Sequence, residues 1–265
     1  MIISSKNDLI SEIKIYHNQL GRRPTKYDSN ALNYYSKKYF GSWNNLMEAS
    51  GYKVKRFQTA QIPSLENPDL YYFLGLLITD GHLTQEYDSN KVCLYTSYMA
   101  ELALISKLAY NLFNYKVSVR PRRYGFNKLI NNEITISSKP LVDFFHNTFN
   151  VPIGDKSLII EMPNMPSSKL FLSNLIRGII DGDGHVPHSR HGNLKISSGS
   201  EKFLYQLKDK FSFLEINVKN PKFGSTCFEL YIPKEYCSKL YEILYNNTNF
   251  YYPRKKHNWE QILNT

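Results

Sequence analysis

The chain writes one apolar phrase twice, YFLGLLITDGHL at residues 72–83 and LIRGIIDGDGHV at 175–186. Each copy is long enough for several helical turns and ends in Asp-Gly-His, which sets Asp80 and Asp183 at equivalent points 103 residues apart. Small residues recur four apart in both, Gly75 with Thr79 and Gly178 with Gly182. Residues at i and i+4 share a helix face, and small side chains there let two backbones approach closely, as they do between helices in membranes. Apolar residues all around keep such a pair inside the protein. Packed in parallel, the two helices bring Asp80 and Asp183 together at their C-terminal ends.

That arrangement is electrostatically poor by itself. An Asp at the negative end of a helix is disfavoured by roughly 0.3–1 kcal/mol at an exposed site, and facing carboxylates repel one another. A bound divalent cation reverses both effects. Oxygen-only ligands suit Mg²⁺, which takes one or two carboxylates and completes its shell with water and phosphate. Gly81 and Gly184 can end the helices and let a backbone or phosphate come close.

Around these runs the pattern of elements also repeats. After 72–83 come strand-like HLTQ and KVCLYTS, a helix in MAELALISKLAYNLF, strands around KVSVRPR and NEITIS, and a helix in KPLVDFFHNTF. After 175–186 come HVPHS and NLKISS, a helix near SEKFLYQLKDKFSFL, strands near EINVKN and TCFELYI, and a helix in KEYCSKLYEILYN. Helix, two strands, helix, two strands, helix, run twice, is an α+β chain with helices on one face of antiparallel sheets.

The N-terminal part reads differently. Leu9, Ile13, Tyr16 and Leu20 fall at helical spacing. Gly21 and Pro24 break that helix. A second starts after Asp28 or Ser29 as N-cap, and a third, capped by Ser42, stops at Gly51. Three short helices with basic flanks suggest a helix-turn-helix-like module. Expected divisions are therefore a helical module at 1–56, a linker at 57–69, and repeats at 70–155 and 156–265.

Composition narrows the class. The net charge is +10, with 21 Tyr and 15 Phe, a balance that suits a nucleic-acid partner. Residues 1–60 hold ten Lys and Arg against four Asp and Glu, +6 of the total. No apolar run reaches the length of a membrane span, and the opening residues do not read as a secretory signal. Cys93, Cys227 and Cys237 are unclustered, which fits a reducing, intracellular setting and excludes a cysteine-based zinc site. His185, His188 and His191 recur every third residue, a weak zinc pattern without cysteine nearby.

The segments FLGLLITDG and IRGIIDGDG resemble the two signature motifs of a double-motif LAGLIDADG homing endonuclease. Gly75 and Gly178 match the family's Gly, and Asp80 and Asp183 its last acid; the sixth motif position is Ile78 in one copy and Asp181 in the other. The resemblance covers about residues 68–263 and implies two tandem αββαββα units related by a pseudo-twofold axis in one monomeric chain. It further implies that Asp80 and Asp183 hold Mg²⁺, with Mn²⁺ as a substitute, and that each serves one DNA strand. A lysine in each half is implied beside them: Lys156 in VPIGDKSLIIEMPNM and Lys255 in YYPRKKHNW, with Lys256 close behind. The N-terminal stretches GRRPTKYDSN and YFGSWNNLMEASGY resemble the short repeat attached to many homing endonucleases, which implies extra DNA contact.

The two strand sets would form a saddle over the major groove of double-stranded DNA, which accepts a β-ribbon. Candidate contacts are Arg120, Arg122, Arg123 and Lys128 in the first repeat and Lys195, Lys219 and Lys222 in the second. Most would position phosphates, and since Arg122 and Arg123 are adjacent, a regular strand turns only one toward DNA. The expected activity is metal-assisted phosphodiester hydrolysis that breaks both strands of a long, non-palindromic site. The competing expectation is a non-cutting intron maturase or DNA-binding regulator on the same fold, which would keep the apolar helices but not need both carboxylates and both lysines. An intein is disfavoured, because no Cys or Ser opens the chain and no His-Asn closes it.

Overall fold

The computed structural model describes residues 3–54, 58–86, 89–124, 129–187, 193–246 and 248–263. The chain divides into two compact units, Met1–Gln58 and Thr59–Thr265.

Unit 1 holds three helices, α1 (Lys6–Leu20), α2 (Asn30–Phe40) and α3 (Trp43–Ala49). Each start is capped by a serine whose side chain accepts a backbone N–H of the first turn: Ser5 from Asp8, Ser29 from Leu32 and Ser42 from Asn45. Of the two candidate caps for α2, Ser29 is therefore the cap. Asp28 instead pairs with Arg22 and accepts from Thr25 N–H, closing the turn between α1 and α2. Gly51 takes the left-handed conformation just past α3, with φ 88°. Ile3, Leu9, Ile13, Leu32, Leu46 and Met47 make a core of their own.

Unit 2 is built on α4 (Pro68–Asp80) and α7 (Lys169–Asp183). Asn67 caps α4 with Pro68 in its first turn, and Ser168 caps α7. Residues Leu70 to Ile78 are all buried, as are Phe171 to Asp181. A helix that is apolar all round must lie at the centre of its domain, and these two lie against each other. Gly75 faces Gly178: a Cβ on Gly75 would come 2.8 Å from the Gly178 Cα. A side chain on Gly182 would collide with Thr79. The spacing of small residues thus serves the close approach it suggests.

Each motif helix runs directly into the edge strand of a four-stranded antiparallel sheet. In the first, β1 (Gly81–Glu86), β2 (Ser89–Thr96), β3 (Ser118–Tyr124) and β4 (Leu129–Ser137) are ordered β1-β2-β4-β3. In the second, β5 (Gly184–His185), β6 (Leu194–Ser198), β7 (Lys222–Phe223) and β8 (Phe228–Ile232) repeat the order β5-β6-β8-β7. Between and after the strands lie α5 (Met99–Phe113), α6 (Lys139–Phe149), α8 (Glu201–Phe213) and α9 (Cys237–Tyr245), the last preceded by a 3₁₀ turn. Leu83, Val92, Leu94, Ile134 and Ile136 of one sheet and Leu194, Ile196, Leu230 and Ile232 of the other face a single core shared by both repeats. This is the two-unit α+β fold.

Gly81 and Gly184 end their helices, in extended conformation, and leave the room expected of them, since a Cβ on Gly81 would meet the Cys93 carbonyl at 2.5 Å. Other local details differ from the sequence pattern. The EINVKN segment is irregular, with only β7 beyond it, because Ile216 and Val218 bury themselves in the core without a partner strand. A further helix, α10 (Pro253–Leu263), follows α9, started by Pro253 and buried through Trp259. The start of the 57–69 linker is partly docked: Ala60 is in the core and Gln61 N–H donates to the Phe113 carbonyl. All three cysteines are free, and no described helix is long and apolar enough to cross a membrane.

Candidate active site

Asp80 and Asp183 end α4 and α7, and because the helices pack side by side the two carboxylates share one electrostatic environment. Burial first, and then the charge of Asp183, push the Asp80 carboxyl up to about 7. Asp183 also moves upward, with burial as the cause, though its side chain is more open to solvent, which screens that shift. Asp80 opens onto a groove of about 680 Å³ that continues along the first sheet past His82, Thr84, Tyr95 and Asn131. Asp183 opens onto a smaller one of about 310 Å³ beside Ser197 and Ser198. Thr79, Lys156 and Ser157 line both.

Both lysines are found at this point, in a role the resemblance does not imply. Each is buried and directs its ammonium at backbone carbonyls of a helix end. Lys156 Nζ donates to the carbonyls of Ile78 at 2.6 Å and Thr79 at 3.0 Å, finishing α4. Lys255 Nζ donates to those of Ile180 at 2.8 Å, and Gly182 and Gly184 at 2.7 Å, finishing α7. A cation there satisfies orphan carbonyls and offsets the negative helix end. Burial lowers both ammonium groups from the usual lysine range; Asp183 and then Asp80 oppose this at Lys156, and Asp181, then Asp80, oppose it at Lys255. The lysines therefore cross: Lys156 finishes the helix of Asp80 but acts more strongly on Asp183, while Lys255 finishes the helix of Asp183 but acts more strongly on Asp80. Lys256 is not the second lysine of the pair, since it turns away to Glu260 at 3.2 Å.

Lys156 is held in place by its own strand-like segment. Gly154 N–H donates to the Leu83 carbonyl at 2.8 Å, and Ile153 bridges Leu83 in parallel. Lys255 is carried on the first turn of α10. Sequence reasoning missed three neighbours. Glu101 is buried at the start of α5, accepts from Thr96 Oγ1 at 2.6 Å, and adds its charge to the field at Asp80. Arg254 reaches Glu101 at 3.3 Å while stacked over Tyr98. The Tyr252 hydroxyl is buried with no hydrogen-bond partner, within the field of Asp80. Arg254 and Tyr252 lie in the same YYPRKK segment as Lys255; Glu101 carries no local signal.

The strand register sorts the basic candidates. Opposite residues in an antiparallel pair share a face. Arg120 is opposite Glu133, Arg122 opposite Asn131, and Glu133 opposite Tyr95, which lines the groove. Arg120 and Arg122 are thus on the groove face, with Arg122 tied to Glu133 at 3.0 Å, while Arg123 is on the other face. Lys91, opposite Thr84, joins the groove face and was overlooked. In the second sheet Lys195, Lys222 and His185 share the face of Glu229 and Tyr231, and Lys195 pairs with Glu229. Lys219 is exposed in the irregular segment before β7, off the sheet. Lys128, His188 and His191 lie outside the described residues. Among the described residues, no group of three or more His, Cys, Asp or Glu side chains could hold a metal; the candidate set is the pair Asp80 and Asp183.

Two apolar helices paired through glycine each deliver one carboxylate at the head of a four-stranded sheet, the arrangement that the resemblance of the two motifs implies. Residues 171–244 match the family model of a LAGLIDADG-like domain, and residues 4–53 match the homing endonuclease associated repeat. The second half of unit 2 is thus a LAGLIDADG-like domain, and unit 1 a homing endonuclease associated repeat. Unit 2 has the fold of solved homing endonucleases. Mesophilic variants of I-DmoI align with TM-score 0.54 at 16% identity over 72% of this chain and 96% of theirs. I-WcaI bound to its DNA recognition sequence aligns with TM-score 0.53 at 14% identity over 75% and 88%. I-DmoI in complex with DNA and Mn aligns with TM-score 0.52 at 15% identity over 68% and 98%. Among curated proteins, the DNA-directed RNA polymerase subunit Rpo1C of Methanocaldococcus jannaschii is 27% identical over 206 residues, 74% of this chain but only 21% of that protein.

Proposed function

We propose that the protein is a site-specific endonuclease that breaks both strands of a long, non-palindromic DNA site with the help of a divalent cation. The observation that carries this reading is the Asp80–Asp183 pair at two helix ends, where burial and mutual repulsion raise Asp80 to about 7. A fold does not retain such a pair for stability. The donor set fits Mg²⁺, which accepts as few as one or two carboxylates with water and phosphate for the rest. When bound, the cation would make water a better nucleophile and stabilise the departing 3′ oxygen. Asp80 and Asp183 would hold it, and the buried ammonium groups of Lys156 and Lys255 fix the helix ends from which those carboxylates project. The lysines therefore orient the site and supply positive field toward a phosphate rather than exchange protons with it.

The groove faces supply the DNA contacts. Arg120, Arg122 and Lys91 on one sheet and Lys195 and Lys222 on the other would meet the duplex, mostly at phosphates; Arg123, Lys219 and Lys128 are secondary. Because the two grooves differ in size and lining, the half-sites read should differ in sequence. Unit 1, rich in Lys and Arg, would add contacts of its own. I-DmoI and I-WcaI, of the same fold, are described with DNA, and I-DmoI with Mn and Ca, which supports duplex DNA and a divalent cation as partners. A randomised duplex library incubated with the protein tests the reading. One long motif bound in Ca²⁺ and broken in Mg²⁺ is expected; a motif bound but unbroken in both Mg²⁺ and Mn²⁺ would leave a DNA-binding regulator or maturase.

A further inference from the structure

Arg177 and Asp181 lie four apart on α7 and so share one helix face, and both are buried. The positions 103 residues earlier are Leu74 and Ile78, plain core. A buried charge costs several kcal/mol unless it is fully hydrogen-bonded, and here the bonds converge on one piece of chain. Arg177 donates through Nη1 to the Leu244 carbonyl at 2.8 Å and through Nε to the Phe250 carbonyl at 2.9 Å. Its guanidinium lies over the Tyr72 ring, 4.8 Å from the centroid. Asp181 Oδ2 accepts from the Tyr252 N–H at 2.8 Å and the Tyr72 hydroxyl at 2.7 Å, and Oδ1 accepts from the Tyr245 hydroxyl at 3.4 Å. Leu244, Tyr245, Phe250 and Tyr252 are thus all strapped to α7.

The strap ends where α10 begins. The Tyr252 carbonyl accepts the N–H of Lys255 at 3.0 Å and of Lys256 at 3.1 Å, so the residue that Asp181 grips is the one from which the first turn of α10 springs. Lys255, on that turn, then reaches back to the carbonyls at the end of α7. Lys156 is placed by other means, through Gly154 on β1 and the apolar Val151 and Ile160.

We propose that the Arg177–Asp181 pair is a positioning device for Lys255 alone, so that the two halves of the site can be disturbed separately and cutting of the two strands uncoupled at Asp181. The strand-cutting part rests on the endonuclease reading; the positioning part does not. Two variants test it. Asp181→Leu removes the acceptor for the Tyr252 N–H, and Asp181→Asn keeps a carbonyl oxygen there. The first readout is acylation of lysines in the DNA-free protein by acetic anhydride, read by mass spectrometry. Both variants lose the Asp181 charge that holds up the Lys255 ammonium, so the positioning effect is their difference: the labelling rate of Lys255 should be about tenfold higher in Asp181→Leu than in Asp181→Asn, with Lys156 unchanged in both. The second is strand-resolved nicking of a target selected from the library. The strand whose cutting depends on Lys255, identified by Lys255→Met, should slow about tenfold to a hundredfold in Asp181→Leu while the other strand stays within about threefold.

Equal rises in labelling at both lysines, no rise at either, or a parallel loss on both strands would overturn the proposal, since general loosening affects both halves. If Asp181→Leu does not fold, Arg177→Met, which frees the Leu244 and Phe250 carbonyls and keeps the Asp181 charge, decides instead: a rise in labelling confined to Lys255 upholds the proposal and a shared or absent rise refutes it. If the wild type neither binds nor cuts DNA, the endonuclease reading fails, and the labelling still decides the positioning role.

Discussion

Removing the acid at Asp80 should stabilise the protein whenever no divalent cation is present. In the fold this carboxyl keeps its proton up to about 7, against about 3.9 for an Asp in an unfolded chain. The folded state therefore binds more protons than the unfolded state between those values, and stability falls as pH rises from about 4 to about 7, then levels off. Each pH unit of that window corresponds to about 1.4 kcal/mol, so ionising Asp80 costs the fold at most on the order of 4 kcal/mol. Solvent access through the groove reduces the realised cost to about 1–3 kcal/mol. Asp80→Asn keeps the shape and cannot ionise. At about pH 8 in EDTA it should be more stable than wild type by about 1–3 kcal/mol, and near pH 4 the two should converge. Urea unfolding followed by tryptophan fluorescence measures this cleanly in a Trp43→Phe background, where the buried Trp259 reports unit 2 alone. Mg²⁺ should erode the advantage by stabilising the wild type more. An Asp80→Asn protein less stable than wild type at about pH 8 in EDTA, or an advantage equal at both pH values, would refute the electrostatic account.

Other expectations follow from packing and register. Gly178→Ala places a Cβ 2.9 Å from the Gly75 Cα and 3.0 Å from the Leu76 N; with backbone on both sides it should cost at least about 1–3 kcal/mol in urea unfolding. Ser29→Ala should cost unit 1 about 1 kcal/mol through loss of its N-cap and leave the Trp259 transition in place. Affinity for divalent cations, followed by titration calorimetry, should weaken as pH falls below about 7, because protonated Asp80 cannot ligate. Arg120→Ala should lower the salt slope of DNA binding by about 1, whereas Arg123→Ala, on the other face of β3, should leave it nearly unchanged.

The features most legible in the sequence were those under symmetric constraint. The glycines had to recur because two backbones meet there, and the acids had to recur because each helix ends at the same site; one repeated phrase announced the fold, the pair and their convergence. The faces of β3 were half legible: pleating said that Arg122 and Arg123 diverge, but only the partner strand, through Glu133, said which one joins the groove. Least legible were contacts with long sequence separation. The family resemblance points to Lys156 and Lys255, yet their ammonium groups finish helices 77 and 73 residues away, a tertiary fact with no local pattern. Glu101 looked like an ordinary first-turn acid, and Asp181 like a minor variation of the motif, until the chain around Tyr252 folded over it. Segment 215–220 alternated like a strand because Ile216 and Val218 are buried, but no neighbour was there to pair with it.

The central claim is that Asp80 and Asp183 together make one cation-dependent cutting site. The measurement that tests it most directly is strand-resolved cleavage of the selected target by wild type, Asp80→Asn and Asp183→Asn in Mg²⁺, with Ca²⁺ alongside for binding. The account predicts that all three bind in Ca²⁺, that only the wild type breaks both strands, and that each variant loses double-strand breaks. Undiminished double-strand cleavage by either variant would contradict it.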